Sequence, residues 1–126
     1  MIICCSATTL DKDYLDYSLV LYLSFRKYHP TTHFHLHIIQ SNKDTTIARP
    51  SNTNLPIIVD TKTAPSNTPF TPYKDDCNLF FSTSYLPTTD KNTIRGYATN
   101  IKANLIPYLI EKKQPRYNIV LWCGAT

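Results

Sequence analysis

The order of strand and helix patterns in the first 40 residues limits the fold of this chain more than any other feature. Residues Met1–Ala7 form an apolar run typical of a strand buried on both faces of a parallel sheet. A helical pattern follows, capped by Asp11 or Asp13 and ending near Tyr28, and His33–Gln40 then alternate as a second strand. Strand, helix and strand in this order predict a βαβ unit with a right-handed crossover.

The middle of the chain is predicted to add one strand and a long connection. Leu55–Asp60, LPIIVD, is apolar enough for a third strand, whereas residues 61–93 hold four prolines among Ser, Thr and Asn. We expect an irregular excursion there, with the apolar island Leu79–Phe81 packing on the sheet. The fold class is therefore α/β: a single domain over residues 1–126, three-layer αβα, with a mainly parallel sheet.

The C-terminal third, NTIRGYATNIKANLIPYLIEKKQPRYNIVLWCGAT, predicts a helix that leads into a buried strand. Apolar residues recur at three- and four-residue spacing from Ile94 to Leu109, and Asp90, Asn92 or Thr93 can cap the start. Pro107 removes a backbone donor inside the pattern, so a bend or a restarted helix is expected there. The short apolar run after it is Ile119–Trp122.

This C-terminal segment resembles the part of GT-A glycosyltransferases in which a helix of the form "aniRa-ipdLL" precedes a strand that ends in an Asp-x-Asp motif. The resemblance implies a GT-A/Rossmann-like fold and covers the nucleotide-binding half of such an enzyme, without its acceptor half. In that family an Asn and a basic residue of the helix approach the donor sugar and its phosphates. By position they correspond to Asn100 and Lys102 here, and Arg95 is a further basic residue of the same helix.

The metal-binding motif of the family is degenerate in this sequence. Gly124-Ala125-Thr126 stands where the family has two aspartates that hold a divalent cation against the pyrophosphate. Hard cations need oxygen ligands, and Gly124 has no side chain to supply one. No cofactor is therefore expected, a divalent metal is not expected at the motif, and the metal-assisted chemistry is expected to be lost.

The resemblance also implies contacts to the base and ribose at the end of the first strand. Ligands of open α/β sheets bind at the carboxyl ends of the strands. The side chains implied at this rim are Ala7, Thr8, Thr9, Tyr14 and, at the end of the third strand, Asp60.

A separate constellation is formed by His33, His35 and His37, which alternate along one strand and share one face. Imidazoles spaced in this way can ligate zinc or copper, although three on one strand span about 13 Å and seldom reach one ion. The alternatives are a solvated or partly covered polar face, or self-association that depends on pH.

Composition limits the partners and the setting. The net charge is +4, from 13 basic and 9 acidic residues, which favours a phosphate ligand but is weak evidence for nucleic acid. The two glycines exclude a P-loop and a Rossmann fingerprint. Four cysteines without a CxxC pair predict reduced thiols, and without a signal peptide or a membrane span a cytoplasmic protein is expected. The Asn-, Thr-, Tyr- and Lys-rich composition is compatible with the AT-rich coding of a virus or a parasite.

Three functions remain open at this point. The first is a shortened glycosyltransferase-like protein that binds a nucleotide or nucleotide sugar with little or no transfer activity. The second is an inactive interaction module, such as a homodimer or a binder of host proteins. The third is a metal-independent glycosyltransferase in which Arg95 and Lys102 neutralise the leaving pyrophosphate.

Overall fold

The computed structural model describes residues 1–41, 57–65, 67–113 and 117–124. Their elements in chain order are β1 (Ile2–Thr9), α1 (Lys12–Tyr28), β2 (His33–Ser41), β3 (Val59–Thr61), a 3-10 helix (Thr71–Tyr73), β4 (Leu79–Leu86), α2 (Lys91–Asn100), α3 (Lys102–Pro107), a π-helical turn (Tyr108–Lys112) and β5 (Ile119–Trp122). No helix among these residues combines the length and the apolar character that crossing a bilayer requires.

The five strands form one mixed sheet in the order β3-β4-β2-β1-β5. β4, β2, β1 and β5 run parallel to one another, and β3 is antiparallel to its neighbour β4. The predicted α/β class with a mainly parallel sheet is confirmed. Because the four parallel strands point the same way, their carboxyl ends share one edge of the sheet. After β1 the chain adds β2 and β4 on one side of it, and β5 is then added on its other side, so the direction of strand addition reverses between β1 and β5.

The strands bury both faces of the sheet, because successive side chains point in opposite directions. One face packs against α1, in a cluster of Cys4, Leu15, Tyr22, Phe34, Leu36, Ile38, Phe70, Leu79 and Phe81. The other face packs against α3 and the residues that follow it, in a cluster of Ile3, Cys5, Leu105, Leu109 and Tyr117. A third cluster, of Ile39, Leu86 and Ile101, takes in the partly buried Ile94, Tyr97 and Ala98 of α2.

The irregular excursion predicted for residues 61–93 is wrong, because this connection contains the eight-residue strand β4. The expected packing of the apolar island is confirmed, since Leu79 and Phe81 are buried in the core. β4 lies between β3 and β2, with Leu79 opposite Phe34 and Leu86 opposite Ser41. Its middle is polar, and Ser82, Thr83 and Ser84 are nonetheless buried. A strand with this composition is recognisable only from the groups on β2 that satisfy its hydroxyls.

The other strands agree more closely with expectation. β1 and β2 continue past their predicted ends, to Thr9 and Ser41, so the turn expected from Thr8 begins after Thr9. Of the third predicted strand, residues 55 and 56 lie outside the described residues, and the strand that the structure has is Val59–Thr61. β5 has the predicted bounds but lies at the edge of the sheet with Ile119 and Leu121 about half exposed, so it is not a fully buried strand.

The helices follow their capping residues. Asp11 caps α1 by accepting from the Asp13 amide at 3.2 Å, and Asp90 caps α2 by accepting from the Thr93 amide at 3.2 Å. The single helix predicted in the C-terminal third is divided at the buried Ile101 into α2 and α3. The expected disturbance at Pro107 is a π-helical turn directly after it, closed by the Lys113 amide donating to the Tyr108 carbonyl at 3.0 Å.

Candidate functional site

A cavity of about 510 Å³ opens where β1 and β2 end and where α1 and α2 begin. We call it the rim cavity. Its lining consists of Thr9, Leu10, Asp11, Lys12, Ile39, Gln40, Ser41, Thr89, Lys91, Ile94 and Arg95. Its size lies within the roughly 300–1,000 Å³ typical of sites for small molecules, and its position is the edge where parallel sheets bind them.

Three basic side chains and one acidic side chain give the rim cavity its charge. Lys12 and Lys91 occupy the first positions of α1 and α2, directly after the capping aspartates. Arg95 lies one turn into α2, and its Nη2 donates to Asp11 Oδ2 at 2.7 Å. The cationic groups therefore outnumber the carboxylate, and the cavity favours an anion.

Arg95 is held in place from two sides. Its guanidinium lies 5.1 Å from the centre of the Tyr14 ring, in addition to its ion pair with Asp11. The bond to Arg95 lowers the pKa of Asp11, and the same bond raises the pKa of Arg95, so both groups stay charged. Arg95 Nε is buried and has no hydrogen-bond partner among the described residues. This buried donor is not accessible from the cavity, whereas the Arg95 side chain as a whole is 41% exposed.

The turn between β1 and α1 is shaped by the two threonines at the end of the strand. Thr9 Oγ1 accepts from the Asp11 amide at 3.2 Å, and Thr8 Oγ1 donates to the Thr9 carbonyl at 3.3 Å. Both side chains are buried. Thr9 lines the rim cavity, whereas Thr8 supports the turn from beneath.

The residues implied by the resemblance are only partly brought together. Thr9 and Arg95 line the rim cavity, and Tyr14 lies under the guanidinium of Arg95. Ala7 is half-buried and packs with Ile94 and the neighbouring core residues of α2. Of the two basic residues that a metal-independent transferase would use, Arg95 is the one in this cavity.

Asn100 and Lys102 lie away from the rim cavity. Asn100 lines a second depression of about 380 Å³ on another side of α2, together with Gly96, Tyr97 and Asn104 among others. Lys102 is exposed at the start of α3 and lines neither depression. Gly124 is exposed beyond β5, and Ala125 and Thr126 lie outside the described residues.

Asp60 does not share this rim, because β3 runs antiparallel to the other strands and its carboxyl end points to the opposite edge. Its carboxylate accepts from Lys113 Nζ at 3.3 Å. Burial and a hydrogen bond to Asp60 raise the pKa of Tyr108. Asp60 therefore belongs to a contact between β3 and the residues after α3.

Sequence reasoning missed most of the lining of the rim cavity. Lys12 and Lys91 could have been predicted at the starts of two helices, since each directly follows an aspartate that is a candidate helix cap. Gln40 and Ser41 follow the histidine-rich part of β2 and carried no such signal. The Gln40 side chain donates to Thr83 Oγ1 at 2.9 Å, which ties the rim to β4.

The alternating histidines of β2 form a second polar set, which lies inside the protein. His35 and His37 are both 0% exposed, so the expectation of a solvated or partly covered face is wrong for them. Ser82 Oγ lies 2.7 Å from His35 Nε2 and 2.6 Å from His37 Nδ1, and Ser84 Oγ lies 2.9 Å from His37 Nε2. We call these four residues the histidine chain.

The direction of the protons in the histidine chain follows from its far end. Ser84 Oγ donates to the Ile57 carbonyl at 3.0 Å, so it accepts from Nε2–H of His37. Burial lowers the pKa of His37 to about 3, so this ring is neutral and its Nδ1 accepts from the Ser82 hydroxyl. Ser82 then accepts from Nε2–H of His35.

His35 lies at the other end of the histidine chain, and the lone pair of its Nδ1 accepts no hydrogen bond among the described residues. Burial lowers the pKa of His35 well below its ordinary value, so its Nδ1 is unprotonated, and this atom has no partner among the described residues. His33 is half-buried, and its Nδ1 lies 2.8 Å from Tyr117 Oη. Among the residues that the structure describes, no three His, Cys, Asp or Glu side chains come together to hold a metal ion.

Comparison with known proteins adds no relative. The chain matches no protein-family model, no curated protein and no solved structure. Its function is therefore inferred from the geometry above.

Proposed function

We propose that this chain binds the diphosphate of a nucleotide or nucleotide sugar in the rim cavity and has little or no sugar-transfer activity. The domain is a three-layer αβα unit that corresponds to the nucleotide-binding half of GT-A glycosyltransferases. The single observation that carries the proposal is the convergence of Lys12, Lys91 and Arg95 on one cavity at the carboxyl ends of parallel strands.

The charge available to a ligand comes mainly from the two lysines. Arg95 shares its charge with Asp11, while Lys12 forms only an exposed pair with Asp16 at 3.5 Å, which is weak. A diphosphate brings several oxygen acceptors, so it can accept from both ammonium groups and from the exposed part of the Arg95 guanidinium. Two lysines and one preorganised guanidinium suit a diphosphate better than they suit a ligand with a single carboxylate group.

The remaining lining fits the rest of a nucleotide. Leu10, Ile39 and Ile94 add apolar surface beside the charges, as a base or a sugar ring requires. Gln40 and Thr89 add polar side chains that can fix the orientation of hydroxyl groups. A cavity with both charged and apolar lining is expected to bind nucleotides more tightly than inorganic anions.

Weak or absent transfer follows from the sequence at the end of β5. Gly124 replaces the first carboxylate of the family motif and offers no side-chain ligand to a divalent cation. Without a bound cation, the charge of a leaving diphosphate would fall on the lysines and Arg95 alone. Singly charged side chains neutralise the charge that develops on the leaving diphosphate less well than a directly bound divalent cation, so transfer is expected to be slow or absent.

The experiment is calorimetric titration of the purified chain with UDP, GDP, UDP-glucose and inorganic pyrophosphate, with and without manganese. We expect saturable binding of a nucleotide that does not require manganese, and no release of sugar from UDP-glucose. Lys91→Gln should weaken binding about tenfold, because one charge-assisted hydrogen bond is lost.

Lys102→Gln is the matched control, since it removes the same charge from a lysine outside the cavity. Its affinity should equal that of the unmodified chain. If Lys102→Gln weakens binding and Lys91→Gln does not, the ligand occupies the position that the glycosyltransferase resemblance implies, and the rim cavity is the wrong site. Absence of binding by all four compounds would overturn the proposal.

Self-association is a second candidate function, favoured by one observation at the edge of the sheet. Ile2, Ile119 and Leu121 are each about half exposed, and β5 pairs only with β1 among the described strands. Ile2 lies opposite Ile119 in the register, so these side chains form a neighbouring apolar pair. The solution mass by light scattering tests it: a dimer would support this function, and a monomer at all concentrations would exclude it.

A further inference from the structure

Two thiols from opposite ends of the sequence meet at the edge of the sheet. Cys4 Sγ and Cys123 Sγ are 2.8 Å apart, although 119 positions separate the residues in the chain. Cys4 lies within β1, opposite Leu121 of β5, and Cys123 directly follows β5. The Cys123 amide donates to the Cys5 carbonyl at 2.9 Å, so the backbone on both sides of the pair is fixed.

The other two cysteines are excluded as partners by their positions. Cys5 is adjacent to Cys4 but its side chain belongs to the opposite face of the sheet, in the cluster with Ile3 and Leu105. Cys77 is exposed and follows the 3-10 helix, far from the β1–β5 edge in the order of strands. Cys4 and Cys123 share one face, since both pack in the cluster beneath α1.

We propose that Cys4 and Cys123 are a redox-modification site, at which an oxidised low-molecular-weight disulfide such as glutathione disulfide converts the two thiols into an intramolecular disulfide. A disulfide bond is about 2.05 Å long, so the sulfur atoms need to approach by only about 0.8 Å. Cys4 is fully buried, whereas Cys123 is partly exposed and is the thiol that an oxidant reaches first.

The reaction has two exchange steps. The Cys123 thiolate attacks glutathione disulfide, which forms a mixed disulfide and releases one reduced glutathione. The Cys4 thiolate then attacks Cys123 Sγ, which forms the protein disulfide and releases a second reduced glutathione. The protein loses two protons and two electrons, and one glutathione disulfide is reduced to two thiols.

The second step is expected to be slow at neutral pH. Burial, together with the hydrogen bond to Cys123, raises the pKa of Cys4, so its thiolate is scarce. The product would join β1 to the residue after β5 and close a loop that contains almost all of the sequence, since 119 positions separate the two cysteines. A crosslink of that length restricts the unfolded state strongly, and we expect the melting temperature to rise on the order of 10 °C.

The test uses the full chain carrying Cys77→Ser, which removes the exposed thiol that would join two molecules. The protein is incubated with glutathione disulfide at pH 8.5, denatured, alkylated and weighed intact. We expect two thiols to become inaccessible to alkylation with no glutathione retained. Digestion with trypsin under non-reducing conditions should release peptide 1–12 joined by a disulfide to peptide 117–126. Fragmentation of the backbone between Cys4 and Cys5 then shows which of these two cysteines is bonded to Cys123.

Two variants serve as controls. Cys123→Ser should leave all remaining thiols open to alkylation and abolish the rise in melting temperature, whereas Cys5→Ser should leave the linked peptides unchanged. If either variant fails to fold, the intact mass and the fragmentation of the parent protein still decide. Full alkylation after oxidation, a persistent glutathione adduct or a link to Cys5 would each overturn the proposal.

Discussion

The histidine chain and the rim cavity both lie on strand β2, only a few residues apart, but only the rim cavity is open to water. His35 and His37 are completely buried, and serine hydroxyls of β4 pair with three of their four ring nitrogens. At the rim, the Lys12 side chain is 88% exposed and the Arg95 side chain is 41% exposed. The protein thus satisfies most of one set of polar groups internally and leaves the other set open to a ligand.

The difference shows how little a residue type says about its role until burial is known. Three alternating histidines suggest a metal site or a pH sensor, yet two of them are neutral groups that join β2 to β4. The lysines after two helix caps are unremarkable in the sequence, yet they frame the rim cavity. Three predictions sharpen this contrast, beginning with the largest effect.

Mild acid should destabilise the protein through the histidine chain. Both histidines have a lowered pKa in the fold, about 3 for His37, against about 6.5 in the unfolded chain. Below pH 6.5 the unfolded chain binds protons that the fold excludes, so this stability is complete above that pH and is lost as the pH falls towards 3. We expect a loss of about 4 kcal/mol between pH 7 and pH 5, measured by urea unfolding.

Two charged neighbours modify this titration, since Lys113 lowers the pKa of His35 and Asp60 raises that of His37. Replacing His37 by Gln should remove about half of the acid effect. His29→Gln, at an exposed position after α1, should leave the effect intact. Equal stability at pH 7 and pH 5 would show that the histidines are accessible to protons in the fold.

Removal of the central hydroxyl of the histidine chain should have the next largest effect. Ser82→Ala leaves His35 Nε2–H and His37 Nδ1 buried without partners, at a cost of about 3 kcal/mol in the free energy of unfolding. Ser24→Ala makes the same change on the exposed surface of α1 and should stay within about 0.5 kcal/mol. If the two variants have the same free energy of unfolding, the hydrogen bonds of the histidine chain do not stabilise the fold.

The smallest effect is expected from the one carboxylate of the rim cavity. Asp11→Asn keeps an amide-capping oxygen at the start of α1 but releases Arg95 from its ion pair, so nucleotide affinity should rise about threefold. Asp90→Asn makes the same change at the cap of α2, where the side chain does not line the cavity, and should leave affinity unchanged. Weaker binding by Asp11→Asn would mean that the carboxylate contacts the ligand.

The framework of the sheet was predictable because local signals and tertiary contacts agree there. β1, β2 and β5 are apolar runs or alternations of the expected length, and Asp11 gave the start of α1. β4 was missed because Ser82, Thr83 and Ser84 contradict a buried strand until their partners on β2 are known. The break at Ile101 likewise depends on where that side chain is buried.

The candidate site was less predictable, since it depends on strand order and direction. Thr9 and Arg95 reach the rim because β1 and the start of α2 converge there. Asp60 was expected beside them, but the antiparallel direction of β3 points its end to the other edge. The direction of a three-residue edge strand is set by pairing with β4, which the sequence pattern did not reveal.

The most direct test of the contrast follows backbone amides by NMR while UDP, or the nucleotide that binds most tightly, is added. We expect shifts concentrated at Leu10, Asp11, Lys12, Lys91 and Arg95, with His35, His37 and Ser82 unchanged. That result would establish the rim cavity as the ligand site and the histidine chain as structural. Shifts centred on Gly96 and Asn100, or on the histidine chain, would contradict the account.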